Sequence, residues 1–107
     1  MTEIKTEILE IIDALKPAFA KDTNIRKAIL FGSQARGEAT IMSDVDIAIV
    51  SETPQLIDRK MLNYIAETFE MECDFVYTTP EALRSAEKEL DVNYSIREEG
   101  ITIWERQ

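Results

Sequence analysis

The apolar pattern predicts the α/β class (in the broader sense, α+β), with a small mixed β-sheet flanked by helices and residues 1–107 forming one domain. Two observations carry this. Lys27–Phe31 (KAILF), Asp44–Val50 (DVDIAIV) and Glu72–Tyr77 (ECDFVY) are short, apolar and rich in β-branched or aromatic residues, as strands are. The segments around them repeat apolar residues at helical spacing.

Glu3–Phe19 reads as an amphipathic helix through Ile4, Ile8, Ile11, Ile12, Leu15 and Phe19. Thr2 suits its N-cap, and Pro17 is expected to bend or stop it. The first strand ends at Gly32, and Thr53-Pro54 ends the second. Gln55–Phe69 returns to helical spacing through Leu56, Leu62, Ile65, Ala66 and Phe69. After the third strand, Thr79-Pro80-Glu81 combines a cap, a proline at the first helical position and an acid in the first turn. That helical stretch runs towards Glu99, with a break expected near Asp91-Val92-Asn93 and a stop at Gly100. Ile101–Trp104 adds a short terminal strand or packing segment.

Composition excludes several functions. The chain has 12 basic and 21 acidic residues, for a net charge of −9. Such a surface repels phosphate backbones, so no direct nucleic-acid partner is expected. The apolar run Ala28–Phe31 is far too short to cross a bilayer, and no membrane partner is expected. The N-terminus lacks a signal-peptide core, and one cysteine, Cys73, fits a reducing compartment, so the expected location is cytoplasmic. With no histidine, Ser–His and Cys–His nucleophile pairs are ruled out within the chain. Any metal must be held by oxygen ligands, which suits Mg²⁺, Mn²⁺ or Ca²⁺.

Chemistry concentrates in Phe31-Gly32-Ser33-Gln34-Ala35-Arg36-Gly37 and Ser43-Asp44-Val45-Asp46. Gly32, lacking a Cβ, permits a tight turn and close approach of a ligand. Ser33 suits the N-cap of a short helical turn, whose free N–H groups can face an anion. Arg36 adds a positive charge for phosphate oxygens. Asp44 and Asp46 stand two apart on a strand, so they share a face with Cα atoms about 6–7 Å apart. If the third strand, expected to be largely buried, neighbours the second, Asp74 reaches the same place. Three carboxylates beside a phosphate turn point to two-metal chemistry on a phosphoryl group. Each short motif alone is more often structural; the ordered combination favours function.

GSQARGEATIMSDVDIAIV resembles the Gly-Ser-x₁₀-Asp-x-Asp signature of the DNA polymerase β-like nucleotidyltransferases, and among them the minimal nucleotidyltransferases, antitoxin partners of HEPN-domain ribonuclease toxins. The resemblance covers the whole chain, including the closing EEGITIWER. It implies that Gly32 and Ser33 hold the nucleotide triphosphate and that Asp44 and Asp46 bind two Mg²⁺. Asp74 would complete the metal site and help activate the attacking hydroxyl, while Arg36 matches the common Ala-Arg-Gly extension. The implied activity is transfer of AMP from ATP to a hydroxyl of a partner protein, a tyrosine of a HEPN-type toxin, with a homo-oligomer or a hetero-oligomer with the toxin as assembly. Two rival readings stand beside it: an antitoxin that neutralises by binding alone, and a small-molecule transferase of the aminoglycoside type. Cys73 reads as a small buried residue and Trp104 as packing. The acidic runs Glu67–Glu72 and Glu87–Asp91 read as solvated faces.

Overall fold

The computed structural model describes residues 6–39, 43–88 and 90–107. The sequence's three expected strands form, joined by the terminal one, in a four-stranded mixed sheet. The elements are α1 (Thr6–Lys21), β1 (Lys27–Phe31), α2 (Ser33–Arg36), β2 (Val45–Val50), α3 (Arg59–Ala66), β3 (Cys73–Thr78), α4 (Pro80–Ser85), α5 (Val92–Glu99) and β4 (Ile101–Glu105). The strand order is β3-β2-β1-β4. β1 runs antiparallel to both β2 and β4, and β2 runs parallel to β3.

Alternation along the strands makes two cores. Ala28, Leu30, Val45, Ile47 and Ile49 face α1 and α3 and form the larger one. On the opposite face Ile29, Phe31, Ala48 and Val50 pack with Ile96 of α5, and Val76 and Leu83 lie against them. Strands buried on both faces read as continuous apolar runs, which is why KAILF and DIAIV lack alternation.

Several boundaries differ from the sequence reading. Thr2 and the expected start of the first helix lie outside the described residues. Pro17 does not end α1, which continues to Lys21. The expected helix Gln55–Phe69 divides into a 3₁₀ turn at Pro54–Leu56 and α3. The cause is Ile57, extended and buried, followed by Asp58, whose side chain accepts from the Met61 N–H and restarts the helix. Thr79 caps α4 through the Ala82 N–H, the expected break falls between α4 and α5, and Asp91 caps α5. Trp104 packs on Phe19 with ring centroids 5.7 Å apart.

The C-terminus locks the end of α1. Arg106 donates through Nε to Ile25 O (2.9 Å) and through Nη2 to Phe19 O (2.8 Å), Asp22 O (3.0 Å) and Ala20 O (3.3 Å). These carbonyls include ones a helix C-terminus leaves without intrahelical donors. Charged hydrogen bonds are the stronger kind, so Arg106→Ala should lower the unfolding free energy by about 2–3 kcal/mol. Arg106→Lys should recover only part, because an ammonium cannot reproduce the fork. Urea denaturation of both variants checks this.

Candidate active site

β1 delivers the chain to Gly32, whose backbone sits at φ 76° and ψ −157°. That region is open essentially to glycine alone. A Cβ there would lie 2.5 Å from Oδ2 of Asp46. The Asp46 carboxylate therefore packs directly on the glycine backbone. Gly32 also caps α2: its carbonyl accepts from the Ala35 and Arg36 N–H groups, each at 3.1 Å. The amides of Ser33 and Gln34 are left without intrahelical acceptors. The expected N-cap, Ser33, is instead the first residue of the helix, because only the glycine can take the backbone angles of the corner. Gly37, at φ 74°, ends the turn.

Asp46 pairs in register with Phe31 of β1 on one side and Asp74 of β3 on the other. Directly paired residues share a face, so both carboxylates project from the side that carries Phe31 and Val76. Asp44 lies one residue before β2. Burial pushes the Asp46 carboxyl above the usual carboxylate range, Asp74 and Asp44 push it further, and Arg36 opposes them. Asp74 and Asp44 thus both act on the Asp46 carboxyl electrostatically. Asp74 itself is exposed, contrary to the expectation of a largely buried third strand, because β3 lies at the sheet edge. Cys73 is partly buried; burial, then Asp74 and Asp46, push its thiol up to about 12, which makes it a poor nucleophile.

Arg36 is engaged in ion pairs. Its Nε donates to Glu38 Oε2 at 3.1 Å, and Nη1 lies 3.8 Å from Glu99 Oε2 at the end of α5. Glu38, Glu99 and Gln34 escape sequence reasoning. Gln34 is 4% exposed, and its Nε2 donates to Ser43 O at 3.3 Å, tying the turn to the approach to β2. A glutamine between Ser and Ala carries no periodic or motif signal that would reveal this.

The donor set suits a hard divalent ion: oxygen only, on one face, and crowded enough that the carboxylates repel without a cation. Among the described residues no three such side chains already converge on one point.

Comparisons with known proteins bear on the family and the fold. The family described as "Polymerase beta, Nucleotidyltransferase" matches residues 13–107. MJ0141 of Methanocaldococcus jannaschii, named as a protein adenylyltransferase, is 38% identical over 74 residues, which cover 65% of this chain and 74% of that one. A chain from a crystal structure of a toxin–antitoxin with AMP-PNP superposes with a TM-score of 0.63 and 27% identity, over 96% of this chain and 76% of that chain. A chain from a structure of the tri-AMPylated Shewanella oneidensis HEPN toxin with its MNT antitoxin has a TM-score of 0.55 and 24% identity, over 94% and 71%, and speaks for the fold alone.

Two outcomes test the geometry. Gly32→Ala should destabilise by about 1–3 kcal/mol from its backbone angles, with the carboxylate contact adding to it. In a double-mutant cycle with Asp46→Ala, the contact's share should appear as a coupling on the order of 1 kcal/mol. Separately, a carboxyl whose folded pKa is raised weakens the fold while ionised and ceases to do so as the pH falls through that value. Metal-free Asp46→Asn should therefore match or exceed the parent in stability at neutral pH, with the difference shrinking in acid, as read by urea denaturation.

Proposed function

We propose that this chain, which belongs to the polymerase beta nucleotidyltransferase family, transfers AMP from ATP to a hydroxyl of a partner protein, a tyrosine of a HEPN-type toxin, and so acts as its antitoxin. The observation that carries the reading is the Asp46 carboxylate seated on Gly32, with the Ser33 turn beginning at that glycine and Asp74 in register on the next strand. Support for the substrate and partner comes from the adenylyltransferase name of MJ0141 and from the AMP-PNP complex of a toxin–antitoxin pair.

On this reading the Ser33 turn takes the terminal phosphates through the Ser33 and Gln34 amides and the Ser33 hydroxyl. Arg36 exchanges Glu38 and Glu99 for phosphate oxygens, a modest cost because these pairs are partly open to solvent. Asp44, Asp46 and Asp74 would hold Mg²⁺, two ions in the full site, which when bound offset the charge on the phosphates and on the departing pyrophosphate. Asp74, the most accessible acid of the three, also orients the acceptor hydroxyl and accepts its proton. The acceptor oxygen bonds to the α-phosphorus, the bond to the bridging oxygen breaks, and pyrophosphate leaves.

The test is incubation with Mg²⁺, ATP labelled at the α-phosphate and a HEPN-domain ribonuclease. Label should appear on the ribonuclease and require the divalent ion. Asp44→Asn with Asp46→Asn should remove it while the circular-dichroism spectrum is kept. Ser33→Ala should lower labelling most at limiting ATP, with little loss of stability because Ser33 is not the N-cap. Unlabelled ribonuclease that is still inhibited would favour neutralisation by binding alone.

A further inference from the structure

β3 is an edge strand, and its hydrogen-bonding pattern shows which groups it leaves open. Val45 N–H donates to Glu72 O (2.8 Å) and Ser51 N–H to Thr78 O (2.9 Å), bracketing a ladder whose register runs unbroken from Val45↔Cys73 to Val50↔Thr78. In such a ladder alternate residues turn both main-chain groups towards the partner strand. Asp74, Val76 and Thr78 therefore bond to β2, while the N–H and C=O groups of Cys73, Phe75 and Tyr77 point to the side where no described strand pairs. Open edges are usually blunted by lysine, proline or a bulge, and β3 (CDFVYT) has none of these. The Arg59 guanidinium of α3 lies 4.0 Å from the ring centroid of Tyr77 in this strand. The start of this edge is acidic: a cleft of about 370 Å³ there is lined by Glu67, Glu70, Glu72 and Asp74, with no Lys or Arg among its described lining residues.

We propose that the free edge of β3 is the acceptor dock: an extended, Lys- or Arg-bearing segment of the partner protein adds there as an antiparallel strand and places its hydroxyl side chain opposite Asp74. This rests on the transferase reading of the site. The geometry follows from the ladder. Because Asp74 turns its main-chain groups inward to β2, a residue opposite it on an added antiparallel strand forms a non-hydrogen-bonded pair, with Cα atoms about 4.5 Å apart and side chains in contact on one face. That face carries Asp46 as well. Main-chain bonds to Cys73, Phe75 and Tyr77 would supply sequence-tolerant affinity, and the acidic cleft would select charge. A second copy of this chain is disfavoured on the same edge, since it brings its own Glu70, Glu72 and Asp74 and a net charge of −9.

The probe is a ten-residue synthetic peptide alternating lysine and valine around one tyrosine, added to the full chain at about 1 mM because short strands bind weakly. Residue-resolved amide exchange by NMR is the readout. The Phe75 and Tyr77 amides should exchange fast in the free chain and slow by about tenfold or more with peptide. A peptide N-methylated on the edge facing β3, or one with glutamate in place of lysine, should give no slowing. Unchanged exchange with the lysine peptide, or equal slowing with the N-methylated one, would overturn the dock. Transfer of AMP to the peptide tyrosine separates the two readings. Transfer without slowing at Phe75 and Tyr77 overturns the dock and leaves the transferase standing; slowing without transfer upholds the dock and counts against the transferase.

Discussion

The contact between the Asp46 carboxylate and the backbone of Gly32 constrains everything around it. The carboxylate occupies the space a Cβ at residue 32 would take, so any other residue there would have to displace the Asp46 side chain, and the backbone angles oppose it independently. The same glycine ends β1 and caps α2. Strand end, turn and acid are thereby one unit: the turn cannot shift without moving the carboxylate, and β2 cannot slip along β1 without losing the fit. A slip of one residue would also send Asp46 to the α1 face and into the larger core.

The sheet extends this unit sideways. Parallel pairing of β2 with β3 sets Asp74 beside Asp46 on the same face. That face is only partly covered. Ile96 of α5 and Leu83 of α4 pack over Ile29, Phe31, Ala48, Val50 and Val76, while Asp46 and Asp74 keep access to solvent. The opposite face carries α1 and α3 and the larger core, so stability is concentrated where no chemistry is proposed. This division lets the site carry mutually repelling carboxylates without loosening the main core.

Much of this was legible in the sequence, and the misses share a cause. KAILF was readable to the residue because an apolar run stopped by glycine needs no knowledge of its neighbours. The cap at Thr79 followed from local chemistry. The division of the 55–69 segment was hidden because Leu56 continues a helical period while Ile57 is extended and buried by distant packing. Strand order was also beyond a single sequence, so the third strand was expected to be largely buried, whereas it lies at the sheet edge and exposes Asp74. Ser33 was misplaced by one position because serine is the stronger cap by preference, whereas the corner demands a glycine. The pairing of Arg36 with Glu99 joins residues far apart in the chain and leaves no local trace.

Charge ties the site to its surroundings. Arg36 is the cation set against Asp46, and it is shared with Glu38 and Glu99, so the ligand-free site is under-compensated, in keeping with the raised Asp46 carboxyl. A bare triphosphate would add to that imbalance; a triphosphate entering with divalent cations would relieve it. The same reasoning applies to macromolecules at longer range. An acidic surface around an acidic site disfavours polynucleotides and favours a partner carrying positive charge. On the proposed reading, nucleotide recognition by the Ser33 turn and partner recognition at the β3 edge would use opposite signs of charge on neighbouring elements. The in-register Asp46–Asp74 pair, where the two elements meet, is where both would act on one phosphorus atom.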